Sequence, residues 1–416
     1  MSNAQSAAIL ERLKNRSGET GILDRHLAVE QSFVDSPLVV GNHVTLLKDG
    51  PATYRAMFAA IRKARNHINL ETYIIEDDEV GRNFSDLLME KQKQGVQVSM
   101  IYDSVGAINA PRAFFERLEE SGIRTLEFNP INPLAGKNKS WIDHRDHRKL
   151  LIVDGRVAFL GGINISSVYS GGSARRSKPA ASGKGNSIPW RDTHVQVEGP
   201  VVAEFQKLFL ETWEKQKGEP LSGGQYFPKL EEVGNEIVRA VGSAADESYS
   251  QIYVTLVSAI NSAETYIYLT NAYFVPDPQL LAALKDAAQR GVDVRIILPG
   301  RTDFWAVFHA GRSHYSALLR AGVKIYERQG ALLHSKTALV DGVWSCIGST
   351  NLDWRSFVHN NEIDAVVLGN SFAQQLRTMF EGDLNESRPV DLEQWQHRSV
   401  ILRMKEWSAR LWEYWL

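Results

Sequence analysis

The chain contains little cysteine, no long apolar run and no excess of charge, and each absence excludes a class of protein. One of its 416 residues is cysteine, Cys346, so an internal disulfide is impossible and a reducing compartment is permitted. No run reaches the roughly 18 apolar residues of a membrane-spanning helix, and the amino terminus lacks the apolar core of a signal peptide. We therefore expect neither a membrane span nor secretion.

The charge balance argues against one kind of substrate. The formal net charge is −2, whereas proteins that follow the phosphates of nucleic acids are typically basic. A local basic patch is compatible with this balance, so a nucleic-acid substrate is disfavoured without being excluded.

The length of the chain fits two domains. We expect them at 1–220 and 221–416, because turn-rich sequence interrupts the pattern near 215–245.

The sequence contains two copies of one motif. The stretches are HRKLLIVDGRVAFLGGIN at 147–164 and HSKTALVDGVWSCIGSTN at 334–351. Both match His-x-Lys-x4-Asp-x6-Gly-[Gly/Ser]-x-Asn, with every fixed position at the same offset. Apolar β-branched runs flank an Asp-Gly pair in each copy, which predicts two β-hairpins. The repetition indicates one site assembled from two halves.

Each copy carries residues suited to a phosphate diester. His147 and Lys149 are two residues apart on a strand, so their side chains leave the same face of the sheet. His334 and Lys336 have the same spacing. An imidazole can attack phosphorus or carry a proton near neutral pH. A neighbouring ammonium neutralises charge on the non-bridging oxygens. We predict that these four residues are catalytic.

Two further positions of the motif are polar. Asn164 and Asn351 follow Gly-rich turns, where a side-chain amide can donate to phosphate oxygens. Asp154 and Asp341 complete the predicted catalytic set, but aspartate also occurs in Asp-Gly turns for backbone reasons, so they rank last.

The rest of the chain supports a duplication. The segment QGVQVSMIYDS (94–104) is similar to RGVDVRIILPG (290–300). Helix and strand patterns alternate at 52–65, 67–75, 80–94 and 96–102, and again at 250–262, 265–270, 277–290 and 292–298. This order predicts an α/β fold in which helices flank a mixed sheet in each half.

These features together resemble the phospholipase D superfamily, which is built from two such halves facing across a pseudo-twofold axis with one active site between them. The segments at 190–200, 271–277 and 351–362 are similar to bacterial cardiolipin synthases of the short type without amino-terminal membrane spans. The resemblance implies phosphodiester exchange through a phosphohistidine, with no metal and no other cofactor. A local set of acidic residues and histidines at 143–147 is weak evidence for a metal.

The resemblance also implies roles and a location. His147 attacks the phosphorus of a donor such as phosphatidylglycerol, and His334 protonates the departing glycerol oxygen and then activates the incoming hydroxyl. A second phosphatidylglycerol as acceptor gives cardiolipin, and water gives phosphatidic acid. We expect membrane phospholipids as partners, no obligatory protein partner, and peripheral attachment to the cytoplasmic side of the bacterial membrane.

A phosphoryl-accepting imidazole needs its second nitrogen held by an acid. Asp192 follows the first motif and Glu362 follows the second at comparable distances, once the intervening loop is allowed for. We expect Asp192 to orient His147 and Glu362 to orient His334.

Two segments leave alternatives open. The stretch 170–189, with Arg175, Arg176 and Lys178, reads as a disordered insertion or as a mobile rim for anionic headgroups. The carboxyl-terminal helix is either packed on the core or laid in the headgroup region. Its predicted apolar stripe is Val400, Ile401, Met404, Trp407, Leu411, Trp412 and Trp415, with Trp395 before it and Arg398, Arg403, Lys405 and Arg410 on other faces.

Three other functions compete with phosphatidyl transfer. A hydrolytic phospholipase D shares every motif residue and differs only in its acceptor. A nuclease requires a basic groove. A catalytically inactive membrane scaffold is disfavoured because both motifs are intact.

Overall fold

The computed structural model describes residues 36–131, 143–173, 188–245, 247 and 249–413. One continuous mixed sheet runs through both halves of this part of the chain. The first half contributes β1 (Val39–Lys48), α1 (Asp49–Lys63), β2 (His67–Thr72), α2 (Glu79–Lys93), β3 (Gln97–Asp103), α3 (Arg112–Glu120), β4 (Arg124–Phe128), β5 (Arg145–Asp146), β6 (Lys149–Val153), β7 (Val157–Gly161), β8 (Trp190–Arg191), β9 (Thr193–Glu198) and α4 (Val202–Lys215).

The second half repeats this plan with one extra helix in its middle and further elements at its end. Its elements are β10 (Glu236–Ser243), α5 (Gln251–Ser262), β11 (Tyr266–Asn271), α6 (Pro278–Gln289), β12 (Asp293–Pro299), α7 (Trp305–Ser313), α8 (Tyr315–Arg320), β13 (Lys324–Arg328), β14 (Leu332–Leu333), β15 (Lys336–Val340), β16 (Trp344–Gly348), β17 (Asn360–Leu368), α9 (Asn370–Asn385), β18 (Ser387–Pro389), α10 (Leu392–Gln396) and α11 (Val400–Arg410). A 3-10 turn (Ser167–Tyr169) and a π-helical turn (Arg355–His359) follow the two motifs.

The strand order makes the duplication visible. It runs β18-β13-β12-β11-β15-β16-β17-β10-β1-β9-β7-β6-β2-β3-β4. Outward from the central β10–β1 pair, the order β17-β16-β15-β11-β12-β13 matches β9-β7-β6-β2-β3-β4. The outer three strands of each set are parallel and the inner ones antiparallel. The prediction of an α/β fold with two homologous halves is confirmed.

Matched helices begin and pack in matched ways. Asp78 caps α2 by accepting from the Gly81 N–H, and Asp277 caps α6 by accepting from the Leu280 N–H. A capping carboxylate satisfies a backbone donor that has no partner within the helix. Along each helix, apolar residues three or four apart turn inward to the sheet.

The two motif hairpins form as predicted. Asp154 and Gly155 have φ values of 54° and 61°, and Asp341 and Gly342 have 50° and 68°. Positive φ at both central residues defines the type I′ turn, whose twist suits a two-residue hairpin. Each hairpin therefore holds its histidine and lysine at one end and its aspartate at the other.

The core lies in two layers. On one face of the sheet, α4 and α9 pack into a cluster shared by both halves. On the other face, α1, α2 and α3 cover the first half, while α5, α6 and α8 cover the second. The predicted helices and strands agree with these elements to within a few residues.

Three expectations concern the division into domains, membrane spans and residues outside the described part of the chain. The predicted interruption near 215–245 includes the connection between α4 and β10, and the division at residue 220 stays a prediction. In the described part of the chain, every helix is too short or too polar to cross a membrane. Arg175, Arg176, Lys178 and Trp415 lie outside the described residues.

Candidate active site

Short strands from one half insert beside the other half at the motif histidines. β5 pairs in parallel with β17, and the His147 N–H donates to the Asn361 carbonyl at 2.9 Å. β14 pairs in parallel with β8, and the His334 N–H donates to the Arg191 carbonyl at 2.8 Å. Each histidine is thus fixed by the backbone of the opposite half.

The same crossing decides which carboxylate holds which histidine. His147 Nδ1 lies 3.0 Å from both carboxylate oxygens of Glu362, and His334 Nδ1 lies 2.8 Å from Asp192 Oδ2. The prediction that Asp192 orients His147 and Glu362 orients His334 is wrong. The two carboxylates occupy equivalent places in the repeat, and equivalence within a repeat says nothing about contact across it.

Both histidines open on one cavity of about 230 Å³. Its lining comes from both halves and includes both motif asparagines. With Nδ1 engaged by a carboxylate, each ring keeps Nε2 for chemistry in the cavity. The lining residues are Tyr73, Ile74, Arg145, His147, Asn164, Trp190, Tyr273, Asp303, Phe304, Val307, His334, Asn351, Asp353, Arg355, Ser356 and Asn360.

The motif lysines lock the backbone next to the histidines. Lys149 Nζ donates to the His147 carbonyl, and Lys336 Nζ donates to the His334 carbonyl, each at 2.5 Å. Burial lowers the pKa of Lys149 to about 7 and that of Lys336 to about 8. An anion bound near them would favour the protonated forms of both.

The buried environment lowers the pKa of both imidazoles. Burial, reinforced by Lys149 and Lys336, lowers the pKa of His147 well below its ordinary value of 6.5. Burial and Lys336 lower the pKa of His334, while Asp192 opposes them. A neutral imidazole with a held Nδ1–H has a free lone pair on Nε2, as a nucleophile or a general base requires.

The two asparagines are not equivalent. The Asn164 amide nitrogen donates to Tyr169 Oη at 3.1 Å, and its Oδ1 accepts from the Ile74 N–H. The Asn351 Oδ1 is buried without a hydrogen-bond partner among the described residues. The Asn351 side chain therefore makes fewer hydrogen bonds within the described residues than the Asn164 side chain does.

Asp154 and Asp341 do not reach the cavity, which corrects their predicted catalytic role. The Asp154 carboxylate accepts from the backbone N–H groups of Arg65, Asn66 and His67 at 2.7 to 3.0 Å. Asp341 accepts in the same way from residues 264–266. At ~3.3 Å per residue, about 16 Å of strand separates Lys149 from Asp154. These aspartates tie the hairpin turn to the neighbouring helix–strand connection.

Sequence reasoning missed the aromatic and charged lining of the cavity. Tyr73 packs edge-on to His147, and Tyr273 packs edge-on to His334. These tyrosines occupy matching places in the two halves, and that match was available in the sequence. Arg355 follows the second motif on the π-helical turn, which no sequence pattern predicts. Asp353 beside it has its pKa raised to about 7 by burial.

A metal centre is not evident at this site. Within the described residues, no group of three or more histidine, cysteine or acidic side chains is arranged to hold a metal ion. His144, in the set 143–147, stacks on His359 instead. The expectation of a metal-free reaction stays a prediction.

Comparison with known proteins agrees with the doubled motif. A family model described as "Cardiolipin synthase, PLD-like domain" matches residues 57–169 and 256–384. A cardiolipin synthase of Geobacillus kaustophilus is 37% identical over 377 residues, covering 90% of this chain and 72% of that protein. One of Geobacillus thermodenitrificans is also 37% identical, covering 98% and 78%.

A solved structure agrees at the level of the fold. The phosphatidylserine synthase of Haemophilus influenzae superposes with a TM-score of 0.65 at 14% identity, covering 94% of this chain and all of that one. The inferred resemblance and the predicted phosphatidyltransferase class are both confirmed at the level of the family.

Proposed function

Because the chain belongs to the cardiolipin synthase family of phospholipase D-like proteins, we propose that it transfers a phosphatidyl group from phosphatidylglycerol to the hydroxyl of a second phosphatidylglycerol. The observation that carries the proposal is the crossed pair of histidine–carboxylate contacts opening on one cavity. A two-step exchange needs one nucleophile and one proton carrier on opposite sides of phosphorus, and the two halves supply one each.

The first step forms a phosphohistidine. His147 Nε2 attacks the phosphorus, and the bond to the glycerol oxygen breaks. That oxygen takes the Nε2 proton of His334, which enters this step as the imidazolium that Asp192 and the phosphate anion favour. Glu362 stabilises the positive charge that develops on the His147 ring. Lys149 and Lys336 neutralise the non-bridging oxygens as charge builds there. Asn351, which lines the cavity, donates an amide hydrogen to the same phosphate.

The second step releases the product. His334, now neutral, removes the proton from the incoming hydroxyl, whose oxygen attacks phosphorus and displaces His147. A lipid hydroxyl gives cardiolipin, and water gives phosphatidic acid. Selectivity therefore depends on excluding water, and the ring of Tyr169, Trp190 and Tyr273 around His334 favours an acceptor that fills this side of the cavity.

The location follows from the substrates. Both the donor and the acceptor are membrane lipids, so the proposal includes peripheral attachment to a membrane. Attachment at the cytoplasmic side stays a prediction.

The proposal is tested by product analysis. Purified protein is incubated with phosphatidylglycerol vesicles, and the lipids are identified by mass spectrometry, with His147→Ala and His334→Ala as controls. Cardiolipin and free glycerol that are absent from both controls support transfer. Phosphatidic acid alone makes the protein a hydrolase, and no lipid turnover contradicts the proposal.

A second assay separates the roles of the histidines. A phosphatidyl ester of p-nitrophenol has a leaving group that needs no proton. His334→Ala should therefore still release one equivalent of p-nitrophenol in a burst, whereas His147→Ala should release none. The reverse pattern would assign the nucleophile to His334.

A further inference from the structure

The carboxyl-terminal helix α11 presents its apolar residues to solvent and packs through its polar side. Val400, Met404, Trp407 and Leu411 each have 64 to 69% of their surface exposed. The spacing i, i+4, i+7 and i+11 puts these four on one line of the helix. Glu406 and Ala409, on the opposite line, are 3% and 1% exposed. The apolar line therefore points directly away from the protein.

The inward face of α11 is specifically held. Glu406 receives two hydrogen bonds from the Arg398 guanidinium, at 2.7 and 3.0 Å. Arg398 in turn lies over the ring of Trp395, 4.5 Å from its centre. Ala409 packs with Val307. This orientation is therefore fixed by an ion pair and by packing, and the outward apolar line is its consequence.

The exposed charges within α11 are all positive, and Glu413, just beyond the helix, pairs with Arg410 at 3.4 Å. Arg403, Lys405 and Arg410 are exposed, while Glu406 is turned inward. A helix with an apolar line between basic flanks suits the headgroup region of an anionic bilayer, where the apolar side chains enter the acyl boundary and the cations meet phosphates.

The helix also lies next to the cavity. Val307 and Tyr273 pack in one cluster with Ala409, and both line the cavity that holds the motif histidines. At the start of α7, Phe304 lines this cavity and Trp305 follows it, each 49% exposed. Isolated exposed apolar residues are common, but an apolar helix line beside exposed aromatic residues at a substrate cavity is not.

We propose that the outward face of α11, together with Phe304 and Trp305, docks on an anionic phospholipid bilayer and sets the cavity against the membrane from which the lipid enters. The proposal rests on the proposed function for its account of substrate entry. The docking itself is independent of turnover.

The test measures vesicle binding, which remains measurable if no lipid is turned over. The protein is floated with vesicles of phosphatidylglycerol and phosphatidylcholine or of phosphatidylcholine alone. We expect binding to the anionic vesicles, and a loss of about tenfold or more for the double variant Met404→Glu, Trp407→Glu. Phe227→Glu is the matched control, because Phe227 is 54% exposed and its neighbours pack at Gly155 on the hairpin turn. Its binding should be unchanged.

A label reports the depth of insertion. Cys346 is buried, so a thiol introduced by Trp407→Cys takes a polarity-sensitive fluorophore selectively. Its emission should shift to the blue on anionic vesicles, and the same label at Phe227→Cys should not shift. Arg403→Gln with Arg410→Gln should weaken binding to anionic vesicles and reduce its dependence on salt.

Two results would overturn the proposal. One is equal flotation of the wild-type protein and the Met404→Glu, Trp407→Glu variant. The other is a wild-type dimer in sedimentation that the same variant dissociates, with no vesicle binding, since the face would then be covered by a second copy of the chain.

Discussion

The two halves of the site carry the same motif and differ in how each histidine is supported. Around His147, Glu362 is itself held by Ser349, whose hydroxyl donates at 2.5 Å. Around His334, Asp192 lies against Gly162, where a side chain would overlap the carboxylate. A longer acid is paired with a serine and a shorter acid with a glycine. At the motif position that is Gly in one copy and Ser in the other, the residue present thus correlates with the length of the neighbouring acid on the sheet.

The environments of the histidines differ in the same direction. His147 faces Tyr73 and has a carboxylate partner whose pKa burial raises to about 7. His334 is surrounded by three aromatic rings, from Tyr169, Trp190 and Tyr273. Two copies of one motif therefore provide unlike surroundings, which suits the separate tasks proposed for the two histidines.

The largest expected effect comes from breaking the crossed contacts one at a time. In the His334→Ala background, Glu362→Gln should slow the p-nitrophenol burst by about 10²- to 10⁴-fold, because the amide no longer holds the reactive tautomer of His147. Asp192→Asn in that background is the matched control and should leave the burst rate within a few-fold, since its own histidine is gone.

The opposite result would indicate that each carboxylate holds the histidine of its own half. A slow burst with Asp192→Asn and a normal burst with Glu362→Gln would contradict the crossed arrangement. Thermal unfolding of each variant checks that the buried substitutions leave the fold intact.

Much of this arrangement follows from the sequence, and the crossing does not. The hairpins and the α/β order are local or periodic signals, and both appear as predicted. Which half a carboxylate serves is decided by the β5–β17 and β8–β14 contacts. Three of these four strands, β5, β8 and β14, have only two residues each and so show no periodic pattern. Likewise, periodicity predicts the apolar stripe of α11, but the Arg398–Glu406 contact and the packing of Ala409 decide that the stripe faces outward.

The pH dependence should distinguish the two lysines from the two histidines. The pKa values of about 7 for Lys149 and about 8 for Lys336 imply that kcat/KM falls as pH rises through this range, because the phosphate loses its cations. The pKa of His147 is lowered, so the acid limb set by its deprotonation lies below 6.5. With the p-nitrophenyl ester, whose leaving group needs no proton, His334 sets no limb of its own. Lys149→Arg should shift the alkaline limb upward by keeping the charge. A kcat/KM for the p-nitrophenyl ester that rises from pH ~7 to ~9 would contradict this assignment.

A smaller effect on rate, with a clear effect on stability, is expected at the far end of the hairpins. Asp154→Ala removes the acceptor of three backbone N–H groups and should cost about 2–4 kcal/mol in the free energy of unfolding. Its kcat at a temperature where it is folded should stay within a few-fold of wild type. Asp341→Ala is the matched variant in the other half. A large loss of kcat without loss of stability would return these residues to the catalytic set.

The smallest effect should come from exchanging the variable motif position. Ser349→Gly removes one hydrogen bond that lowers the pKa of Glu362, so that pKa rises further and the burst in the His334→Ala background slows about fivefold. Gly162→Ser is not its mirror image, because the new side chain meets the Asp192 carboxylate and displaces the partner of His334. It should slow transfer to a lipid acceptor while leaving the burst unchanged. If Ser349→Gly and Gly162→Ser slowed the burst equally, both halves would support His147 jointly. The Ser/Gly difference between the two motifs would then have no separate role.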